Sequence, residues 1–302
     1  MHNNIIKVKR VFIPMPKFGD LETYIPWDKS WIIRLGVLDI ASGIPPNPFF
    51  ETPGLGDDLQ AIYRCSLEWP NNEPLHVGES ATLLRNLRYL SYLQGKSREF
   101  VSSGSLIHRN VSDDPHVLQE SLDDLMHRDG ETSQWAAAAL LLEYPRRVHE
   151  HIPEEEKVYV SKAAYEHWMI QHSRGALWAP RKDATIARQA HAFHNGMTLG
   201  GVFFEPGHSE DYCFARAFNL ISRDQGIERW PRLANHETNR FVEMERALRL
   251  LDQGIISSSD HRVIQAMVML ATVRKLEYNV VHPESVTKTW PGFWQFMQAV
   301  AR

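Results

Sequence analysis

Several segments of the chain repeat apolar residues at helical spacing and then reach a glycine. Leu83, Leu87 and Leu90 occupy positions i, i+4 and i+7 ahead of such a glycine. The same pattern recurs in residues 118–130 and 241–254. Because residues at this spacing share one face of a helix, and glycine commonly ends one, each segment predicts an amphipathic helix packed on another layer.

Two shorter segments predict strands between these helices. Residues 157–160 (Lys-Val-Tyr-Val) and 200–204 (Gly-Gly-Val-Phe-Phe) are rich in β-branched and aromatic side chains, which favour a half-buried extended surface. The predicted class is therefore mixed α/β, with small strand and helix modules repeated along the chain.

Length and composition indicate a globular protein of two lobes. The chain has 302 residues, and single hydrophobic cores rarely grow beyond about 250 residues. Its hydrophobic content of 43% and charged content of 23% are ordinary. A net charge of -4 argues against a general polyanion binder, so no nucleic-acid partner is expected.

Two proline-containing segments are candidate crossings between the lobes, residues 24–27 (Tyr-Ile-Pro-Trp) and residues 177–183 (Leu-Trp-Ala-Pro-Arg-Lys-Asp). We therefore predict a first lobe of residues 26–178. The second lobe is predicted to combine residues 1–25 with residues 179–302, and so to hold both termini.

Other features favour a cytoplasmic protein without metal or cofactor. Cys65 and Cys213 lack the spacing of a disulfide framework or a zinc cluster, and the His-x-His at residues 149–151 is a weak metal signal. No apolar run approaches the roughly 18 residues of a membrane span, and no export signal is apparent. Neither a Walker-type phosphate loop nor a G-x-S-x-G elbow occurs. We expect no membrane partner and a monomer.

A possible anion site lies in residues 25–34 (Ile-Pro-Trp-Asp-Lys-Ser-Trp-Ile-Ile-Arg). Lys29 and Ser30 stand where a helix would begin, and Arg34 follows about one turn later. Free backbone N–H groups, a hydroxyl and two cations can together hold an anion. A surface lysine beside an ordinary helix cap is the simpler alternative.

Similar groups occur near other predicted helix starts. Residues 75–85 (Leu-His-Val-Gly-Glu-Ser-Ala-Thr-Leu-Leu-Arg) and residues 131–134 (Glu-Thr-Ser-Gln) carry hydroxyls and an arginine, and Arg109 lies between them. Near the C-terminal end, residues 258–262 and 285–294 contribute Arg262 and Lys288. Arginine suits carboxylates and phosphates because its contacts are bidentate. Capped core helices are the alternative interpretation.

Residues 234–240 (Ala-Asn-His-Glu-Thr-Asn-Arg) place a carboxylate and a cation at another predicted helix start. Glu237 and Arg240 are three residues apart, so both can point into one cleft. A salt-bridged surface pair is the alternative.

These motifs resemble those of the enolpyruvyl transferase family, which includes the 5-enolpyruvylshikimate-3-phosphate synthases. Residues 25–34 are similar to the family's Pro-Gly-Ser-Lys-Ser-x-Ser-Asn-Arg signature, residues 75–85 to its Gly-Asn-Ala-Gly-Thr-x-x-Arg loop, and residues 234–240 to its Val-Lys-Glu-Thr-Asp-Arg element. The resemblance implies a two-lobed inside-out α/β barrel of repeated strand–helix modules, pared down in this shorter chain.

The resemblance also implies a reaction of the shikimate pathway, which serves aromatic amino acid biosynthesis. The 1-carboxyvinyl group of phosphoenolpyruvate would pass to a hydroxyl of shikimate 3-phosphate, or of a similar anionic cyclic alcohol, and phosphate would leave by addition–elimination. The implied catalytic residues are Lys29, Glu237 and Glu228. The implied phosphoenolpyruvate-binding residues are Lys29, Ala81, Thr82, Arg109, Gln134, Arg240, Arg262 and Lys288. The implied shikimate-3-phosphate-binding residues are Ser30, Arg34, Thr132, Ser133, Gln134, Ser161 and His236.

The chain departs from the family pattern in its proton-transfer groups. The segment that carries the family's Ile-Pro-Asp catalytic aspartate is missing, and Glu228 is the candidate replacement. The alternative to an active transferase is a catalytically silent member that binds such anions in a regulatory or assembly role.

Overall fold

The computed structural model describes residues 17–235 and 238–301 and is mostly helical, with 62% helix and few strands. The sequence predicted a mixed α/β class, and the structure belongs to an α-rich class. The described residues form no closed barrel. Contacts divide the chain into two compact units. Unit 1 combines Met1–Pro26 with Lys182–Arg302, and unit 2 is Trp27–Arg181. The first boundary between the units falls within residues 24–27, and the second falls within residues 177–183.

Unit 2 contains five helices of more than two turns and one pair of strands. In chain order these elements are α1 (Lys29–Ala41), α2 (Asp57–Glu68), β1 (Leu75–Gly78), α3 (Ala81–Leu93), β2 (Phe100–Ser102), α4 (Gln134–Arg147) and α5 (Glu156–Ser173). Short α-helical turns are Leu122–Leu125 and Arg128–Glu131. The 3₁₀ helices are Pro48–Glu51, Trp69–Asn71, Gly104–His108 and Pro115–Leu118.

Helix α1 is the centre of unit 2. Every residue from Trp31 to Ile40 is buried, and α2, α3, α4 and α5 all contact it. Asp28 begins the helix by accepting a hydrogen bond from the Trp31 backbone N–H at 3.0 Å. A Cβ on Gly36 would lie 2.9 Å from Ile62, so glycine allows α2 to approach this closely. A helix that is apolar on most faces is stable only when it is surrounded in this way.

Strands β1 and β2 pair in parallel, with Leu75 opposite Phe100 and His76 opposite Val101. Parallel strands need a crossover connection, which α3 supplies. Ser80 caps α3 by accepting a hydrogen bond from the Leu83 backbone N–H at 3.4 Å. The carboxyl ends of both strands therefore meet at one edge, beside the start of α3.

The described residues of unit 1 form six α-helices of six or more residues and a second strand pair. These elements are α6 (Ala184–Leu199), α7 (Tyr212–Ala217), α8 (Arg223–Arg229), α9 (Arg240–Leu251), β3 (Ile255–Ile256), α10 (His261–Arg274), β4 (Asn279–Val280) and α11 (Phe293–Val300). A short α-helical turn is Phe18–Leu21. The 3₁₀ helices are Glu22–Tyr24, Ser209–Asp211, Pro231–Asn235 and Pro283–Lys288.

Helix α10 is the central element of unit 1, because its residues from His261 to Thr272 are all buried. Helices α7 and α9 and the 3₁₀ helix Pro283–Lys288 pack against it. Strands β3 and β4 are parallel, and α10 is their crossover. The two units thus share an order of elements. A helix (α2 or α9) precedes a strand, a crossover helix (α3 or α10), a parallel strand and a 3₁₀ helix.

The structure confirms some of the predicted elements and contradicts others. Helices α3 and α9 match two of the periodic segments. Residues 118–130 do not form one amphipathic helix, because Ser121 and Asp124 build a capping box that starts a new short turn there. The strand predictions are wrong: residues 157–160 lie within α5, and residues 200–204 belong to neither strand nor helix beyond the end of α6.

None of the helices in the described residues combines the length and the apolar character needed to cross a membrane.

The two cysteine thiols are expected to be unreactive in the folded protein. Both are buried, and burial raises the pKa of Cys65 to about 12 and also raises the pKa of Cys213. Because the thiolate is the nucleophile, a disulfide reagent such as Ellman's reagent should label neither thiol of native protein at pH 8. It should label both after unfolding in guanidinium. Rapid labelling of native protein would contradict this arrangement.

Candidate functional site

A cleft of about 260 Å³ lies at the carboxyl ends of β1 and β2 in unit 2. Its walls come from α2, from β1 and the residue after it, and from β2 and the residue after it. The lining residues are Asp57, Gln60, Ala61, Arg64, His76, Gly78, Glu79, Val101 and Ser103. In open α/β layers, ligands bind beyond the carboxyl ends of parallel strands, where side chains from neighbouring strands converge.

Helix α2 presents a polar face to the cleft. Asp57, Gln60 and Arg64 follow at i, i+3 and i+7, which places them on one side of the helix. The opposite face carries buried apolar residues, including Leu59 and Ile62. Packing of that apolar face fixes the orientation of the polar one.

Glu79 is held in place by the loop that follows β2. Its carboxylate accepts hydrogen bonds from the backbone N–H of Ser105 at 3.2 Å and from the Ser105 hydroxyl at 3.0 Å. Gly104 has a φ of +52°, and a Cβ there would overlap the Glu79 carboxylate. Glycine is therefore required both by the left-handed backbone and by the close approach of Glu79.

His76 is oriented by a carboxylate outside the lining. One oxygen of Glu68 lies 3.0 Å from His76 Nδ1, and the other accepts the His76 backbone N–H at 3.1 Å. A carboxylate on one ring nitrogen fixes the plane of an imidazole and orients its other edge. The lining thus combines two carboxylates, a guanidinium, an imidazole and a hydroxyl.

Lys29 does not line this cleft, although it lies near one wall. Its ammonium pairs with Asp58 at 2.8 Å, and Asp58 is the residue after the cleft residue Asp57. The predicted helix start at Lys29 is confirmed, but Asp28, and not Ser30, supplies the cap.

Three residues predicted to bind shikimate 3-phosphate lie together in unit 2. Arg34 Nε donates to the Ser161 hydroxyl at 2.7 Å, and Arg34 Nη1 donates to the Ser30 backbone carbonyl at 2.8 Å. A third nitrogen, Nη2, donates to the Lys157 carbonyl at 3.2 Å. Arg34 is 1% exposed, and burial lowers the pKa of its guanidinium to about 10. These contacts join α1 to α5 and use all three guanidinium nitrogens.

Gln134 is the first residue of α4, where the sequence predicted a phosphate-binding helix start. Its side-chain carbonyl accepts from Arg85 at 3.2 Å. Thr132 lies just before this start and accepts from the Gln134 backbone N–H at 3.4 Å, while Ser133 is buried. Asp129 also binds Arg85, with a distance of 3.1 Å from Arg85 Nε.

Other predicted residues of unit 2 lie close to the cleft. Ala81 and Thr82 are the first two residues of α3, and Ala81 is buried. Arg109 Nη2 donates to the Ser105 hydroxyl at 3.3 Å, and Ser105 is the residue that holds Glu79. Ala81, Thr82 and Arg109 thus border the cleft without lining it.

Arg240 and Arg262, both predicted to bind phosphoenolpyruvate, share a buried polar cluster in unit 1. Arg240 Nε donates to Asp260 at 3.0 Å, and Glu210 lies 3.8 Å from Arg240 and 3.2 Å from Arg262. Arg262 also donates to Gln189 at 2.8 Å. Burial alone would raise the pKa of Asp260, but the adjacent Arg240 holds that pKa well below its usual range. Carboxylates of the protein therefore balance both cations.

Four predicted site residues remain, two in unit 1 and two outside the described residues. Glu228 is an exposed residue of α8. Lys288 is the last residue of the 3₁₀ helix Pro283–Lys288. His236 and Glu237 lie outside the described residues.

Sequence reasoning missed most of the cleft. Asp57, Arg64, His76 and Ser103 line the cleft, and none of them is among the predicted site residues. The available signal was the spacing of Asp57, Gln60 and Arg64 at i, i+3 and i+7, which places three polar side chains on one face of α2. This spacing alone does not indicate a cleft, because the other walls come from β1 and β2.

No family model, curated protein or solved structure matches the chain. Among the described residues, no group of three or more His, Cys, Asp or Glu side chains is arranged to hold a metal ion.

The Arg240–Asp260 pair is expected to stabilise unit 1 strongly. Asp260→Asn would leave Arg240 buried without its nearest counter-charge, a change that costs roughly 3–5 kcal/mol. Because the folded pKa of Asp260 is lowered, its contribution is full above the ordinary carboxyl pKa of about 4 and is lost as pH falls further. Urea unfolding followed by circular dichroism should show the difference at pH 7 and its decrease at pH 3. Exposed Asp252→Asn is the matched control, and equal stabilities of the two variants would disprove the role.

Proposed function

We propose that the chain binds a small polar molecule in the cleft at the carboxyl ends of β1 and β2. The observation that carries this proposal is the convergence of charged and hydrogen-bonding side chains from three separate elements on one cavity. Ligand sites in proteins typically combine such a concavity with a few positioned polar groups.

The size of the cleft restricts the ligand. Cavities that hold drug-sized molecules measure about 300–1,000 Å³, whereas this one measures about 260 Å³. The ligand is therefore of the size of a single amino acid or a monosaccharide.

The site is organised in advance of binding. Ser105 and Gly104 fix the Glu79 carboxylate, Glu68 fixes the His76 ring, and the packing of α2 fixes its polar face. Groups that are already immobilised lose little conformational entropy when a ligand arrives, so weak individual contacts can still give useful affinity.

A block of the cleft should abolish binding. We expect a thermal-shift screen of small polar metabolites to find compounds that stabilise the protein, and Val101→Trp to remove their effect because the indole fills the cleft. Val148→Trp, at a similarly exposed position of unit 2, should leave it intact. Stabilisation that survives Val101→Trp would place the ligand elsewhere, and a screen without any stabilising compound would refute the proposal.

A second proposal is the enolpyruvyl transfer implied by the sequence resemblance, together with the two-lobed inside-out barrel. Two juxtapositions favour it. Arg34 donates hydrogen bonds to both Ser30 and Ser161, and all three are assigned to one substrate. Arg240 and Arg262 share Glu210. Because protein carboxylates balance the unit 1 cations, an anionic substrate would have to displace Glu210 from them. The cytoplasmic location and the monomeric state remain predictions.

The transferase proposal has a direct assay. Phosphate release from phosphoenolpyruvate should depend on shikimate 3-phosphate, and Glu237→Gln should nearly abolish it, while Glu277→Gln serves as an exposed control. Calorimetric binding of shikimate 3-phosphate without phosphate release would favour the catalytically silent alternative. Absence of both would eliminate the resemblance as a guide to function.

A further inference from the structure

We infer, building on the proposed function, that the ligand of the cleft is a zwitterion whose ammonium and carboxylate groups lie at opposite ends. The inference rests on two lining residues of opposite charge, Asp57 and Arg64, that belong to one helix face and do not pair with each other.

The spacing along α2 separates these charges. Seven residues at 1.5 Å of rise each place the two Cα atoms about 10 Å apart. No ion pair joins either side chain to a group of opposite charge in the described part of the chain, in contrast to the internal pairs Arg240–Asp260 and Lys29–Asp58. A ligand charged at both ends can satisfy both side chains at once.

Glu79 is a second acidic residue in the lining of the cleft. Its position is fixed by Ser105. Two carboxylates on one small cleft attract an ammonium and repel a dianion such as phosphate. A ligand with only positive charges would in turn be repelled by Arg64.

The cleft offers further groups for the middle of the ligand. Ala61 and Val101 supply apolar contact, while Gln60, Ser103 and the oriented edge of His76 supply hydrogen bonds. This mixture suits a short carbon chain between two charged ends better than a fully polar or a fully apolar molecule.

Three probes of equal chain length test the charge requirement in the full-length protein. We would measure binding of 5-aminopentanoate, pentylamine and pentanoate by isothermal titration calorimetry, with nuclear magnetic resonance shifts for weak cases. The zwitterion should bind at least tenfold more tightly than either singly charged probe. Equal binding of the three, or a preference for pentanoate, would overturn the inference.

Two variants locate the charged ends. Arg64→Met should weaken 5-aminopentanoate at least fivefold and should not weaken pentylamine, because it removes the partner of the carboxylate and a charge that repels the ammonium. Asp57→Asn should weaken the zwitterion and pentylamine together. Arg174→Met, an exposed arginine at the end of α5 in the same unit, is the matched control. Equal loss in Arg64→Met and Arg174→Met would contradict the assignment.

The outcomes separate this inference from the proposal on which it rests. If uncharged or singly charged compounds from the thermal-shift screen lose their effect in Val101→Trp, and 5-aminopentanoate shows no preference, the cleft is a binding site but its ligand is not a zwitterion. If no compound depends on Val101, both the site and the ligand class are wrong.

Discussion

Each unit depends on a helix that is buried on nearly every face, α1 in unit 2 and α10 in unit 1. Such a helix cannot turn its polar residues toward water, so every polar group on it needs an internal partner or incurs a desolvation cost. Asp39 of α1 illustrates the solution. It accepts the indole N–H groups of Trp168 at 2.8 Å and Trp178 at 2.7 Å, and so ties α5 and the end of unit 2 to the central helix.

The same constraint explains where the predicted anion-binding arginines lie. Arg34 belongs to α1 and Arg262 to α10, so both are buried and both bind groups of their own unit. Their hydrogen bonds connect separate helices within each core. Exposed charges suited to an external ligand occur instead on α2, which has only one buried face.

The two strand pairs share an order of elements but differ at their carboxyl edges. In unit 2, Gly78 stands two residues before the cap of α3, and its lack of a side chain leaves the edge open. In unit 1, Ser258 stands two residues before the cap of α10, donates to Glu243 at 2.7 Å and accepts from the Asp260 backbone N–H at 3.0 Å. Side-chain contacts therefore occupy the corresponding edge in unit 1, whereas the edge in unit 2 borders the cleft.

Local patterns in the sequence determined a good part of the helical structure. The periodic leucines before residue 95 and the apolar face of residues 241–251 predicted α3 and α9, because an amphipathic helix depends on residues three and four apart. The strand predicted at residues 157–160 failed, since short β-branched runs are equally compatible with a helix that packs on a core. The actual strands are too short to leave a recognisable alternation.

Only the tertiary structure decided which polar residues line the cleft and which lie in the core. Arg34 meets Ser161 across 127 positions of sequence, and the walls of the cleft come from α2, β1 and β2. The sequence by itself determined that lysines, arginines and hydroxyls stand near several helix starts. Their partners depend on how the helices pack, because a charge is compensated by whatever group the fold brings within a few ångströms of it, however distant that group is along the chain.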